Sequence, residues 1–263
     1  MHPLLNKKGF VIDIDGVIGR GESPIKKGIE GVKKLRELGK KVIFVSNNST
    51  RSRRIMMGRF QRFGLDVDED ELLMATYATA RFIAKEKRSA KVFTTGEPGL
   101  VEELELAGHK IVEYDEAEYL VVGSNRGINF DLMTKALRAC LSGIRYLATN
   151  PDRIFPAEDG PVPGTGMIIG ALYWMTGRKP DVVVGKPSKI IMEEALEILG
   201  LSAEDVVVVG DQIDVDIKAG KAIGAETLLV LTGVTTRENI NSMISRFGEK
   251  PDYVLDSLSD LFD

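Results

Sequence analysis

The sequence predicts an α/β protein: a doubly wound parallel sheet with a second, smaller α/β unit inserted into the middle of the chain. Three observations carry this. Short β-branched runs alternate with helical patterns toward both ends, which is the rhythm of βαβ units. The run Val206-Val207-Val208-Val209 is apolar at every position, as suits a strand covered on both faces. The middle of the chain repeats the same rhythm with enough apolar residues for a core of its own.

In order, residues 10–14 read as a buried strand, 27–38 as a helix, 41–46 as a strand and 54–63 as a helix. The acidic stretch 66–71 lacks the central glycine of a calcium loop, and Tyr77 stands where a closing bidentate acid belongs. It reads as a solvated boundary leading into a helix. The middle supplies strands near 92–94, 120–122 and 146–148, with helices over 100–107, 133–141 and 166–175. Residues 182–184 read as a further strand, followed by helix 190–199, strand 206–209, helix 215–223, and strands at 227–231 and 253–255. The expected division is therefore a core over 1–75 and 182–263, with the insert over 76–181.

Composition narrows the partners. Hydrophobic content of 43% and charged content of 28% are those of a globular chain with a real core. The net charge of −4 provides no broad attraction to nucleic acid or to an anionic membrane, so neither is expected as a partner. Any anionic substrate must be captured locally. Cys140 is the only cysteine, which excludes an intrachain disulfide and a thiolate metal cluster and fits a reducing cytoplasm. Its apolar neighbours Leu137 and Leu141 mark it as a small buried hydrophobe. The start of the chain lacks the apolar core of a signal peptide, and the apolar stretch 167–175 is too short to span a bilayer. Two glutamines, one cysteine and many Lys and Glu residues suggest a heat-adapted source.

Chemistry concentrates at the predicted strand ends. Asp13-Ile14-Asp15-Gly16 closes the first strand, and side chains two apart share a face, about 6.6 Å apart at roughly 3.3 Å per residue. Two carboxylates so close imply a cation, a shared proton, or both; the plainer reading is a helix cap with a spare acid. Ser46-Asn47-Asn48-Ser49-Thr50 ends the next predicted strand with hydroxyls, amides and backbone N–H groups that suit either an anion cradle or ordinary capping. Lys186, between Gly185 and Pro187, follows the run at 182–184, and Asp211 follows the valine run, with Asp214 and Asp216 beyond it. In a parallel sheet these ends converge near the topological switch point. Asp13, Asp15, Asp211 and Asp216 gathered there call for a hard, oxygen-ligated cation such as Mg2+, together with Lys186. His2 and His109 form no zinc pattern, and 160–166 is not a phosphate-binding P-loop.

These motifs, in this order, resemble those of the haloacid dehalogenase superfamily of phosphohydrolases: Asp13-Ile14-Asp15-Gly16, Ser46, Lys186, and Gly210-Asp211 with Asp216. The resemblance spans essentially the whole chain. It implies the HAD-like, Rossmannoid core of that family and an inserted cap. Only 30 residues separate Asp15 from Ser46, whereas 139 separate Ser46 from Lys186, so the cap follows the second motif. With Asn47-Asn48-Ser49, Thr149-Asn150-Pro151-Asp152 and Gly185-Lys186-Pro187-Ser188, the chain is similar to the NagD and 4-nitrophenylphosphatase branch. Val215 stands where these relatives often carry Thr.

The resemblance implies a phosphatase for small-molecule phosphate esters. Asp13 would attack phosphorus to give an aspartyl-phosphate, and Asp15 would serve as general acid and base. Mg2+ would be held by Asp13, the Asp15 carbonyl and Asp211, with Asp216 acting through water or by orienting Asp211. Ser46, Asn47, Asn48 and Lys186 would bind the phosphoryl group. Asn150 and Asp152 in the cap are candidates for leaving-group specificity, with a plain Asn-Pro-Asp turn as the alternative. Arg51, Arg53 and Arg54 either steer anions or line a solvated helix face. A phosphotransferase or mutase on the same scaffold, and a non-catalytic metal and phosphate sensor, are the competing readings. Apolar cap strands would allow a homodimer through the cap.

Overall fold

A computed structural model describes residues 2–157 and 160–263. The chain divides into two compact units, the first made of Met1–Ser46, Met57–Leu73 and Lys186–Asp263, the second of Asn47–Met56 and Met74–Gly185.

The first unit is organised by a six-stranded sheet, in the order Tyr253–Leu255, Glu226–Val230, Val206–Gly210, Gly9–Ile12, Lys41–Ser46, Leu72–Met74. Gly9–Ile12 runs parallel to both Val206–Gly210 and Lys41–Ser46, and Glu226–Val230 runs parallel to its two neighbours. Every residue of Gly9–Ile12 and of Val206–Gly210 is buried, as uninterrupted apolar runs require. The chain lays down Gly9–Ile12, fills one side as far as Leu72–Met74, and later returns to fill the other. Strand order therefore reverses between Gly9–Ile12 and Val206–Gly210, the position where open α/β sheets bind ligands.

The second unit has a five-stranded sheet ordered Val182–Val183, Arg145–Ala148, Tyr119–Val122, Lys91–Thr94, Lys110–Ile111, with parallel ladders throughout. Alternation along Tyr119–Val122 separates two cores. Tyr119 and Val121 pack with Ile83, Leu100 and Leu104, which belong to helices Ala75–Glu86 and Pro98–Leu106. Leu120 and Val122 pack with Ala136, Cys140, Ile168 and Leu172 of helices Phe130–Leu141 and Gly166–Thr176. Period-two side chains thus clothe both faces of one sheet with helices. Cys140 is buried as a small hydrophobe. Among the described residues, no helix is long and apolar enough to cross a membrane.

Two readings of the sequence are corrected here. Val182–Val183 does not join the six-stranded sheet; it pairs with Leu147 and Ala148 at the edge of the second sheet. A strand of two residues between Pro180 and Gly185 is too short to signal which sheet will take it, so three site motifs follow core strands and Lys186 does not. The acidic stretch does form a solvated turn at Glu69–Glu71, closed by a capping box from Asp68. It leads first into the buried edge strand Leu72–Met74 and only then into helix Ala75–Glu86.

Candidate active site

In the first unit the switch point gathers a buried charge cluster. Asp13 follows Gly9–Ile12, and its N–H still donates to the Val209 carbonyl at 2.9 Å, so the strand ladder fixes its backbone. Lys186 Nζ donates to Asp13 Oδ1 at 2.6 Å, Asp216 Oδ1 at 2.7 Å and the Val45 carbonyl at 3.0 Å. These contacts engage all three ammonium hydrogens. Asp13, Asp211 and Asp216 bring ligand oxygens within 4.8 Å of one another. All three are buried, as is Lys186 at 2% exposure. Asp216 reaches the cluster from a π-helical turn, Ile213–Ile217, and its Oδ2 accepts from the Gln212 N–H at 3.0 Å.

Three carboxylates facing one ammonium are out of balance. Burial drives the Asp13 pKa up, Lys186 pulls it back, and Asp216 and Asp211 push it up again, leaving it well above the ordinary value. Burial, with repulsion from Asp216, lifts Asp211 to about 7. Burial alone lowers a lysine pKa, but Asp13 and Asp216 outweigh it and hold Lys186 above its ordinary value.

The residues present fit a cation. Asp211 Oδ2 accepts from the Val234 N–H, whereas its Oδ1 is buried without a hydrogen-bond partner. A buried acceptor left so costs about 1–3 kcal/mol, and a charged one more. The space beside this carboxylate is kept by glycine. A Cβ at Gly16, whose φ is +98°, would lie 2.3 Å from Asp211 Oδ2, and one at Gly233 would lie 1.8 Å from it. Gly16 also adopts a left-handed backbone that other residues resist. An all-carboxylate donor set suits a hard cation.

Asp15 stands apart from these three. Its carboxylate is partly exposed and accepts from Arg59 Nη2 at 2.8 Å. Arg59 is 2% exposed, and its guanidinium lies 5.1 Å from the Phe63 ring centroid. The sequence motifs do not single out this arginine. Met56, Phe60 and Phe63 form the buried face around it, and a cation at helical spacing within an apolar face is the one available signal. Ser46, buried, ends Lys41–Ser46; the register pairs Ile12 with Phe44, so Asp13 and Ser46 leave the sheet from adjacent strands.

The remaining candidates lie in the second unit, where Asn47, Asn150 and Asp152 hold one another. Asn47 Nδ2 donates to both oxygens of Asp152, at 3.0 and 3.2 Å. Asn150 Nδ2 donates to the Asn47 carbonyl at 2.7 Å, and Asn150 Oδ1 accepts from the Asp152 N–H at 3.1 Å. Asn48 Oδ1 accepts from the N–H groups of Thr50 and Arg51, a capping turn ahead of helix Arg53–Arg62. The arginines after it diverge. Arg54 is exposed and pairs with Glu102, while Arg53 is buried against Glu103, so a solvated face describes Arg54 and not Arg53.

Residues 10–110 match the haloacid dehalogenase-like hydrolase family, and residues 183–261 match a second family of HAD-like hydrolases. Sugar-phosphatase AraL of Bacillus subtilis (strain 168) is 38% identical over 254 residues, covering 96% of this chain and 91% of that protein. The solved p-nitrophenyl phosphatase from Archaeoglobus fulgidus is 78% identical with a TM-score of 0.96, over 97% of this chain and 98% of that one. NagD from E. coli K-12 is 30% identical with a TM-score of 0.86, over 97% and 98% of the two chains. The chain belongs to the haloacid dehalogenase superfamily of hydrolases. Within it, the protein is a phosphoric monoester hydrolase of the NagD and 4-nitrophenylphosphatase type.

Proposed function

We propose that the protein is a Mg2+-dependent phosphatase that hydrolyses small phosphate monoesters through an aspartyl-phosphate on Asp13. The observation that carries this is the buried trio of Asp13, Asp211 and Asp216 around Lys186, with one Asp211 oxygen lacking a partner. Asp13, Asp211, Asp216 and the Asp15 carbonyl are the groups assigned to the cation. When bound, it offsets the repulsion between carboxylates and phosphate.

Asp13 attacks phosphorus while the bond from phosphorus to the leaving oxygen breaks, and Asp15 gives that oxygen a proton. In the second displacement Asp15 takes a proton from water, which attacks the same phosphorus and breaks its bond to Asp13. Inorganic phosphate leaves and both carboxylates return to their starting state. Lys186 holds the attacking carboxylate in place and neutralises charge that grows on the phosphoryl oxygens. Ser46, Asn47 and Asn48 are assigned to those oxygens. Asn150 and Asp152 then act first as positioning residues, since their hydrogen bonds fix Asn47. We assign residues 76–181 the role of a cap that selects the leaving group. The names of the relatives, sugar-phosphatase and p-nitrophenyl phosphatase among them, support small esters as substrates.

The deciding experiment is phosphate release from p-nitrophenyl phosphate and a panel of sugar and nucleoside monophosphates, with Mg2+ or with excess chelator. Turnover with Mg2+, lost on chelation and regained on adding the metal back, is the expected result. Equal turnover in chelator would remove the cation from the reaction.

Arg59 fixes the orientation of Asp15, so Arg59→Ala should lower kcat by about 10–100-fold, the range expected when a catalytic group drifts by an ångström. KM should change little, because Arg59 is not assigned to substrate. A variant that loses thermal stability but keeps its kcat would make Arg59 purely structural.

A further inference from the structure

Thr232-Gly233-Val234-Thr235, the turn after strand Glu226–Val230, belongs to none of the motifs that define the site, yet it closes over one of them. In the six-stranded sheet Val206–Gly210 lies between Glu226–Val230 and Gly9–Ile12. Asp211 therefore emerges between this turn and the loop that begins at Asp13. Thr232 Oγ1 donates to the Gly16 carbonyl at 2.6 Å, which joins the ends of the two outer strands across the middle one. The Asp211 carboxylate is thereby enclosed by Gly16 and Gly233, the two positions where a Cβ would collide with it.

The same turn orients that carboxylate. Val234 N–H donates to Asp211 Oδ2 at 2.5 Å, and Thr235 N–H donates to the Asp211 main-chain carbonyl at 3.1 Å. With Oδ2 engaged, Oδ1 is the oxygen left for a cation. The turn is itself anchored from outside. Asn239 Nδ2 donates to the Val234 carbonyl at 3.0 Å, and Arg20 Nη2 donates to the Thr232 carbonyl at 2.8 Å.

Thr232 acts equally on the loop that carries Asp15. Gly16 N–H donates to the Gly19 carbonyl at 2.9 Å. The Asp15–Gly16 peptide is trans and planar, so pinning this N–H aims the Asp15 carbonyl the opposite way. The following peptide is pinned by Thr232 at the Gly16 carbonyl. Both peptide planes that flank Gly16 are thus held, and with them its φ of +98°. Arg20 follows Gly19 directly, so Gly16, Gly19, Arg20 and Thr232 form one closed circuit of chain and hydrogen bonds.

Resting on the reading that Asp13, Asp211, Asp216 and the Asp15 carbonyl hold Mg2+, we propose that Thr232 is a positioning residue for that cation. Its hydroxyl is assigned no ligand role. It fixes the Asp211 carboxylate and the Asp15 carbonyl relative to each other before the metal arrives. Partners that orient ligands in this way typically contribute about 10–100-fold to metal affinity.

Calorimetric titration of Mg2+ into the full chain, without substrate, tests this on the parent, Thr232→Val and Thr232→Ser. Valine keeps the β-branched shape and loses the hydroxyl, whereas serine keeps the hydroxyl. Thr232→Val should weaken Mg2+ by about 10–100-fold, and Thr232→Ser should recover most of the parent's affinity. The Mg2+ concentration that gives half-maximal turnover of p-nitrophenyl phosphate should rise in parallel, with KM for the ester at saturating Mg2+ little changed. Arg20→Ala, at an exposed position, should weaken Mg2+ in the same direction by a smaller factor, and it carries the test should Thr232→Val not fold. Parent-like Mg2+ affinity in Thr232→Val, with or without a lower melting temperature, would overturn the assignment and leave the cation reading intact. A serine variant as weak as the valine one would do the same, as would parent-like affinity in Arg20→Ala where that variant carries the test. A parent that takes up no Mg2+ would overturn both.

Discussion

Replacing Asp13 by asparagine is expected to stop turnover, with kcat for p-nitrophenyl phosphate falling by about 10⁴-fold or more, because a covalent route loses its nucleophile. The substitution keeps size and shape, so the loss is chemical. The introduced amide oxygen can still accept the hydrogen bond that Lys186 gives to Asp13 Oδ1, at 2.6 Å in the native chain. Asp13→Asn also removes one of three buried negative charges, and Asp13 is the group whose pKa is driven well up by burial and by the other two acids. The metal-free variant should therefore melt no lower than the metal-free parent. The gain in melting temperature on adding Mg2+ should shrink, since one donor has lost its charge. Acid quenching during turnover of a labelled ester should trap phosphate on the parent protein and none on the variant. A variant that retains turnover within tenfold of the parent would show that Asp13 is not the nucleophile. The phosphatase class would then need another attacking group.

Much of this site is legible in the sequence because each motif sits where a local rule has only one outcome. Phe10-Val11-Ile12 can only be buried, so Asp13 must emerge at its end, and the same holds for Asp211 after four valines. The parallel sheet then brings them together, as its register shows. The rest depends on long-range choices that local sequence does not encode. Val182–Val183 is too short to declare its sheet, and Lys110–Ile111 is equally brief. Leu72–Met74 is hidden between an acidic turn and a helix. The π-helical turn at Ile213–Ile217 holds Asp216 where a plain helical period over 215–223 gives no hint of it. Arg53 and Arg59 look alike in sequence, yet one is neutralised by Glu103, fifty positions away, and the other by Asp15. Only the fold reveals the partner of a buried cation.

Lys186→Met is the second substitution with a large expected effect, and its consequences separate folding from chemistry. Methionine preserves the unbranched stem and removes the charge, leaving Asp13 and Asp216 buried without the ammonium that now bonds both at 2.6 and 2.7 Å. Removing one partner of a buried ion pair typically costs about 3–5 kcal/mol. Here the cost falls on a cluster that already carries excess negative charge, so the metal-free variant should melt well below the parent. A divalent cation enters the same imbalance with the opposite sign. Mg2+ should consequently stabilise Lys186→Met by more degrees than it stabilises the parent, the reverse of the trend expected for Asp13→Asn. Activity should not follow that recovery. With Mg2+ saturating and the fold restored, kcat should remain about 10²–10³-fold low, the usual loss when a preorganised group that stabilises transition-state charge is removed. Melting curves with and without Mg2+, alongside kcat at saturating metal, distinguish the two roles. Full activity once the fold is restored would confine Lys186 to balancing buried carboxylates. A variant that is stable without metal and inactive with it would make the lysine's work wholly chemical.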